Sequence, residues 1–156
     1  MAAQSSTPAP TLAPTLDSVY QDRLLDLADT IARDGHVVAA PDAETSAVSR
    51  ACGSRVAIQV RFDGDTVADY GQRVEACALG SAAASAVGGA VVGASVAEVR
   101  AAAITLEAML KRDGPAPDGR FEALSALLPA KAFTNRHASI LLTFRALEKA
   151  FKATGR

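Results

Sequence analysis

The tightest constraint on this chain lies between residues 56 and 75. Val56, Ile58, Val60 and Phe62 alternate with Ala57, Gln59 and Arg61, a period of two that a strand gathers on one face and a helix scatters around its circumference. Asp63-Gly64-Asp65 then supplies turn chemistry, and Thr66 to Val74 resumes the extended pattern with Ala68, Tyr70 and Val74 as its inward residues. The spacing predicts a hairpin. A three-residue loop that pairs Val60 with Ala68 and Ile58 with Tyr70 keeps Asp69 and Arg73 off the apolar face, and it is the register expected here. Residues 44–50 form a weaker strand ahead of it.

Outside this region the apolar period lengthens to that of a helix. Tyr20, Leu24, Leu27 and Ile31 mark one face of a helix from Asp17 to Asp34, stopped by Gly35. Ala78 to Ala97 carries no charge and holds Gly89 and Gly93 at a helix-dimer spacing. Its strongly apolar side chains are only Leu79 and four valines, so it gains little from lipid and reads as a closely packed internal helix broken near Gly93. Ser95 with Glu98 forms a capping box, and Val99, Ala103, Leu106 and Leu110 give the following helix its buried stripe before Lys111, Arg112 and Gly114 close it. Asp113 to Gly119 is a loop, and Phe121 to Leu128 a short helix stopped by Pro129. A last helix starts near Thr134 or Asn135 with Ile140, Phe144, Leu147 and Phe151 inward, which turns His137 inward as well. The expected fold is α+β: an N-terminal helix, a three-stranded antiparallel sheet, and a C-terminal group of helices packed on the sheet, in a single domain over residues 16–153.

Composition narrows the function classes. A chain of 156 residues with 49% apolar content buries a proper core. The 16 Lys and Arg against 17 Asp and Glu collect into no basic stripe, and with no Trp and 4% aromatic residues there is little to stack on bases, so no nucleic-acid partner is expected. Residues 1–15, MAAQSSTPAPTLAPT, hold no charge and are expected to form a disordered tail. They lack both the basic start and apolar run of a secretory signal and the repeated Arg of a mitochondrial presequence. A cytoplasmic location with no membrane span follows by elimination. In that reducing setting two cysteines serve as ligands or nucleophiles sooner than as a structural disulfide.

Cys52 precedes the hairpin and Cys77 follows it, so both fall at its open end, where cross-strand neighbours lie about 5–8 Å apart. Cys77 also comes just before the small-residue helix, whose positive end favours a thiolate, and Arg55 and Arg136 act in the same direction. With His137 added, two thiolates and an imidazole suit zinc or an iron–sulfur cluster better than a hard cation. Two other readings stay open: Cys52 and Cys77 as buried small residues with His137 a satisfied helix-start histidine, or a Cys/His nucleophilic enzyme. His36, just after Gly35, reads as a solvated or capping residue.

The order of these segments carries a resemblance. Ala51-Cys52-Gly53-Ser54 before a strand–turn–strand, Cys77 before an Ala/Ser-rich helix, and Arg136-His137-Ala138-Ser139-Ile140-Leu141 opening the final helix resemble the NifU-like, IscU-type iron–sulfur cluster assembly scaffold family from about Val19 to Phe151. The resemblance implies a non-enzymatic scaffold or carrier that holds iron or a labile [2Fe–2S] cluster, with zinc as the alternative metal. It implies Cys52, Cys77 and His137 as ligands, a cysteine desulfurase as sulfur source and apo iron–sulfur proteins as acceptors. Ser54 stands where the family has Asp, and Ala138 where it has a third cysteine tied to receiving sulfur. Removing a carboxylate and a thiolate leaves a tetrahedral site short of a ligand, to be filled by water, by Ser54 as a weak fourth ligand, or by a partner, a second copy of the chain included. Two further outcomes fit the same departures: a zinc-binding regulatory relative, and a persulfide carrier using Cys52 or Cys77. Leu128-Pro129-Ala130-Lys131 faintly resembles the family's chaperone-recognition segment, but its distance from His137 is greater and no chaperone contact is inferred.

Overall fold

The computed structural model describes residues 16–156, with side chains from residue 21 on, so the expected tail over residues 1–15 and the side chain of Tyr20 lie outside the described residues. The alternating run becomes β2 (Ser54–Asp63), the middle strand of an antiparallel sheet between β1 (Ala43–Ser49) and β3 (Thr66–Glu75). Val56, Ile58, Val60 and Phe62 are all buried on one face. Around the sheet stand α1 (Leu16–Asp29), α2 (Ala78–Ala90), α3 (Val96–Lys111), two 3-10 segments (Gly119–Ala132 and Thr134–Arg136), α4 (His137–Ile140) and α5 (Leu142–Ala153). The α+β order expected above is the one observed.

The hairpin register differs from the expected one. Asp63 pairs with Thr66 across a two-residue turn, and Phe62 with Val67; a bulge then shifts the ladder so that Arg61 faces Asp69, Val60 faces Tyr70 and Ile58 faces Gln72. Ala68 is the extra residue. A bulge inserts one position and reverses the inward–outward parity beyond it, so Val67 and Tyr70 both reach the core while Asp69 and Arg73 stay outside. The same demand that favoured a longer loop, keeping charge off the apolar face, is met inside the strand. Gln72 is carried inward with Tyr70 and is buried.

The first helix ends at Asp29, five residues short of the expected boundary. Arg33 takes a left-handed backbone, and residues 32–36 lie along β3 instead: Gly35 N–H donates to Gln72 O at 2.8 Å and Gln72 N–H to Arg33 O at 3.2 Å. Buried Gln72 completes this junction. Its amide donates to Ala32 O and to Ala84 O, both at 2.8 Å, and accepts the Tyr70 hydroxyl at 2.9 Å. One side chain thus ties the exit of α1, the sheet and α2 together. His36 closes over Asp69, with Nε2 3.0 Å from Oδ1, beside Arg33 on the same carboxylate.

Ser95 and Glu98 make both bonds of the capping box at the start of α3, the kind of device that contributes about 1 kcal/mol. Along α3 the buried stripe runs through Val99, Ala102, Leu106, Met109 and Leu110, with Ala103 only partly buried. Pro129 does not stop a helix but sits inside the 3-10 segment. Ile140, Phe144, Leu147 and Phe151 are buried as expected. No helix among the described residues is long and apolar enough to cross a membrane.

Candidate functional site

Both cysteines lie at one end of the sheet. Ser49 and Ser54 form the last pair of the β1–β2 ladder, and Cys52 sits in the turn between them, where Gly53 takes a positive φ of 68° that a side chain would disfavour. Cys77 follows the end of β3 and occupies the N-cap of α2 in an extended conformation, without capping the helix through its side chain. With Arg55 opposite Glu75 in the ladder, Cys52 lies three residues before one partner and Cys77 two residues after the other. Both are free thiols, each partly exposed.

Their surroundings differ in kind. The Cys52 thiol donates to Asn135 O at 3.2 Å. Cys77 Sγ lies 3.6 Å from Ser139 Oγ, and Ser139 Oγ in turn donates to Ser54 Oγ at 2.8 Å. Burial would push the Cys77 thiol up; the Gly80 N–H, the Ser139 hydroxyl, the Arg136 guanidinium and the Leu79 N–H outweigh it and hold the thiol below its ordinary value. These groups favour the thiolate form of Cys77. The serine pair suits either protonation state, because each hydroxyl donates and accepts: the chain runs toward Ser54 when Cys77 is a thiol and can reverse when it is a thiolate.

Gly80 makes this contact possible. A Cβ there would lie 2.4 Å from Ser139 Oγ and 3.3 Å from Ser139 O, so the first turn of α2 meets α4 only because residue 80 has no side chain. Ser139→Ala is expected to move the midpoint of Cys77 alkylation by iodoacetamide to higher pH, measured with Cys52 replaced; an unchanged midpoint would remove Ser139 from the thiol's environment.

His137 is buried at the start of α4, as its spacing predicted, but its Nε2 lies 3.0 Å from Ala130 O. A carbonyl only accepts, so Nε2 carries the hydrogen, and any metal ligation would fall to Nδ1. Ser54 is buried and accepts the Ser139 hydroxyl, so a ligand role would require that bond to break. Among the described residues no three His, Cys, Asp or Glu side chains gather as a metal site. The structure thus brings Cys52 and Cys77 to one end of the sheet, the Cys52 thiol bonded to Asn135 O, and places His137 buried at the start of α4 with its Nε2 on Ala130 O. Ser139 was missed as a functional residue in the sequence; its only signal there is its place two positions after His137, next to core Ile140.

The described chain is an α+β domain with two free thiols at one end of a three-stranded sheet, one of them at a helix N-cap. Residues 19–126 match the NifU-like N terminal domain family, and the chain belongs to that family. It is similar to the crystal structure of a nitrogen-fixing NifU-like protein (N-terminal) from Brucella abortus, at 38% identity over 89% of this chain and 96% of that one, with a TM-score of 0.84. A putative iron–sulfur cluster assembly scaffold protein for the SUF system from thermophilic Fervidobacterium islandicum shares the fold at 18% identity, over 86% of this chain and 98% of that one, with a TM-score of 0.74. No curated protein matches the chain.

Proposed function

We propose that this chain is a non-enzymatic scaffold or carrier in iron–sulfur cluster assembly, which takes up sulfur and iron at the Cys52–Cys77 end and passes a labile [2Fe–2S] cluster to apo acceptor proteins. The observation that carries this reading is the setting of Cys77, at the N-cap of α2 with Ser139 Oγ 3.6 Å from its sulfur, with a second free thiol at the same end of the sheet, in a chain of the NifU-like family. Thiolate is the form that both iron and sulfane sulfur require. A cysteine desulfurase supplies the sulfur, in the reducing cytoplasm where both cysteines stay free. Cys52 and Cys77 are the primary ligands. His137 through Nδ1, Ser54, water or a second copy of the chain completes the coordination.

A zinc-binding regulatory relative is the competing reading, motivated by Ser54 and Ala138 standing where the family resemblance implies Asp and Cys. Anaerobic reconstitution with ferrous iron and sulfide separates the two. The scaffold is expected to take up iron and sulfide in equal amounts with visible charge-transfer absorption; one equivalent of tightly held zinc and no cluster absorption would overturn it in favour of the zinc-binding form.

A further inference from the structure

The face built by α3 and α5 takes no part in the site described above, yet it carries an apolar knob beside an apolar groove. Ile104 stands in the middle of α3 with 65% of its surface exposed. It rims a groove between the two helices whose floor is made by Val99, Leu141, Phe144 and Phe151, all buried. An isoleucine left this far in water gains little from the fold of its own chain. A knob and a groove on the same face are the parts of an isologous contact, because a two-fold axis between them offers the knob of each chain to the groove of the other.

The charges on this face select the partner. Two arginines and two glutamates rim the groove, Arg100, Arg145, Glu107 and Glu148, so it offers no net charge to a strongly acidic or basic surface. Along α3 the order of charge is antisymmetric about Ile104. Arg100, Ile104, Glu107 and Lys111 follow one another at spacings of four, three and four residues and share one helical stripe, with the cation on one side of Ile104 and the carboxylate on the other. A second α3 packed antiparallel across a two-fold axis at Ile104 therefore brings Arg100 of each chain to Glu107 of the other, whereas a parallel copy sets like charges together. Arg100 is 39% and Glu107 44% exposed even with their own-chain partners Glu148 and Lys111 in place, which leaves each a side open for the second contact.

We propose that the α3–α5 face is a contact between two copies of this chain, in which antiparallel α3 helices cross at Ile104, each Ile104 seats against the groove of the other chain, and two reciprocal Arg100–Glu107 pairs fix the register. The contact uses no residue of the Cys52 turn or of the first turn of α2. It therefore forms without metal and leaves each chain its own pair of thiols, unlike a second copy that completes a ligand set. With one apolar anchor per chain and a polar rim, the dimer is weak and depends on concentration.

The test is sedimentation of the full chain up to millimolar concentration, with a chelator and a reductant present so that neither metal nor disulfide joins the copies. The average mass is expected to rise toward twice that of one chain. Ile104→Gln alters an exposed side chain, so thermal unfolding is expected to match the wild type while the dimer Kd rises at least about tenfold. Arg100→Glu and Glu107→Arg each oppose like charges and are each expected to stay monomeric where the wild type pairs. Mixed in equal amounts they are expected to pair again, since both contacts of the mixed dimer then join opposite charges; a variant that had merely failed to fold would not be rescued in this way. A wild type that stays monomeric throughout would overturn the proposal and leave the groove to a foreign apolar helix or to solvent. An unchanged Kd for Ile104→Gln, or a mixture no more dimeric than its components, would overturn it as well, and so would a dimer abolished by Cys52→Ser, which would place the contact at the thiols. None of these outcomes bears on the functional reading, which is decided by uptake of iron and sulfide.

Discussion

Cys77→Ala is expected to abolish uptake of iron and sulfide in reconstitution, while Cys52→Ala retains a measurable share. The difference comes from what surrounds each sulfur. Two helix N–H groups, the Ser139 hydroxyl and the Arg136 charge lower the Cys77 thiol from its ordinary value, so the substitution removes the sulfur whose surroundings favour ligation. Cys52 spends its proton on a carbonyl 3.2 Å away and must break that bond before it can ligate. The fold should survive the change at 77, since Cys77 makes no side-chain capping bond and is partly exposed; a stability loss of no more than about 1 kcal/mol is expected. Iron and sulfide analysis beside a thermal unfolding curve separates loss of site from loss of fold. Wild-type uptake by Cys77→Ala would mean that Cys52, not Cys77, is the entry point.

Gln72→Leu should produce the largest loss of stability. Leucine fits the space approximately but leaves Ala32 O and Ala84 O without the amide they share and the Tyr70 hydroxyl without its acceptor. Ala84 O keeps its bond within α2, so the loss falls on the Tyr70 hydroxyl and Ala32 O at about 1–3 kcal/mol each, a total of roughly 2–5 kcal/mol. At about 2–4 °C per kcal/mol for a domain of this size, Tm falls by roughly 10 °C. Denaturant titration of the purified variant checks it. A change below about 1 kcal/mol would show that the exit of α1 repacks without this residue, and that Gln72 joins three elements without holding them.

Periodicity located the strands and most of the helices because it reports which face of an element is buried. Val56, Ile58, Val60 and Phe62 declare a half-buried strand by themselves, and Ser95 with Glu98 declares a helix start through bonds made within four residues. Features that depend on a distant partner were less legible. Nothing near Ala68 announces a bulge, since its cause is the need to keep both Val67 and Tyr70 inside and Asp69 outside against elements far away in sequence. Nothing near Asp29 announces the end of α1, since the following residues are captured by Gln72, about 40 positions later.

The same division runs through the site. Sequence determined that Cys52 and Cys77 stand at the open end of one hairpin and that His137 points inward from the start of a helix, because strand pairing and helical spacing are local geometry. Only the tertiary structure decided what each group does there. Ser139 reaches Cys77 because Gly80 lets two helices touch, Ser54 is occupied by Ser139, and the His137 Nε2–H is given to Ala130 O. A hydrogen bond across 85 residues has no signature in either segment alone; it exists only once packing has brought the two backbones together.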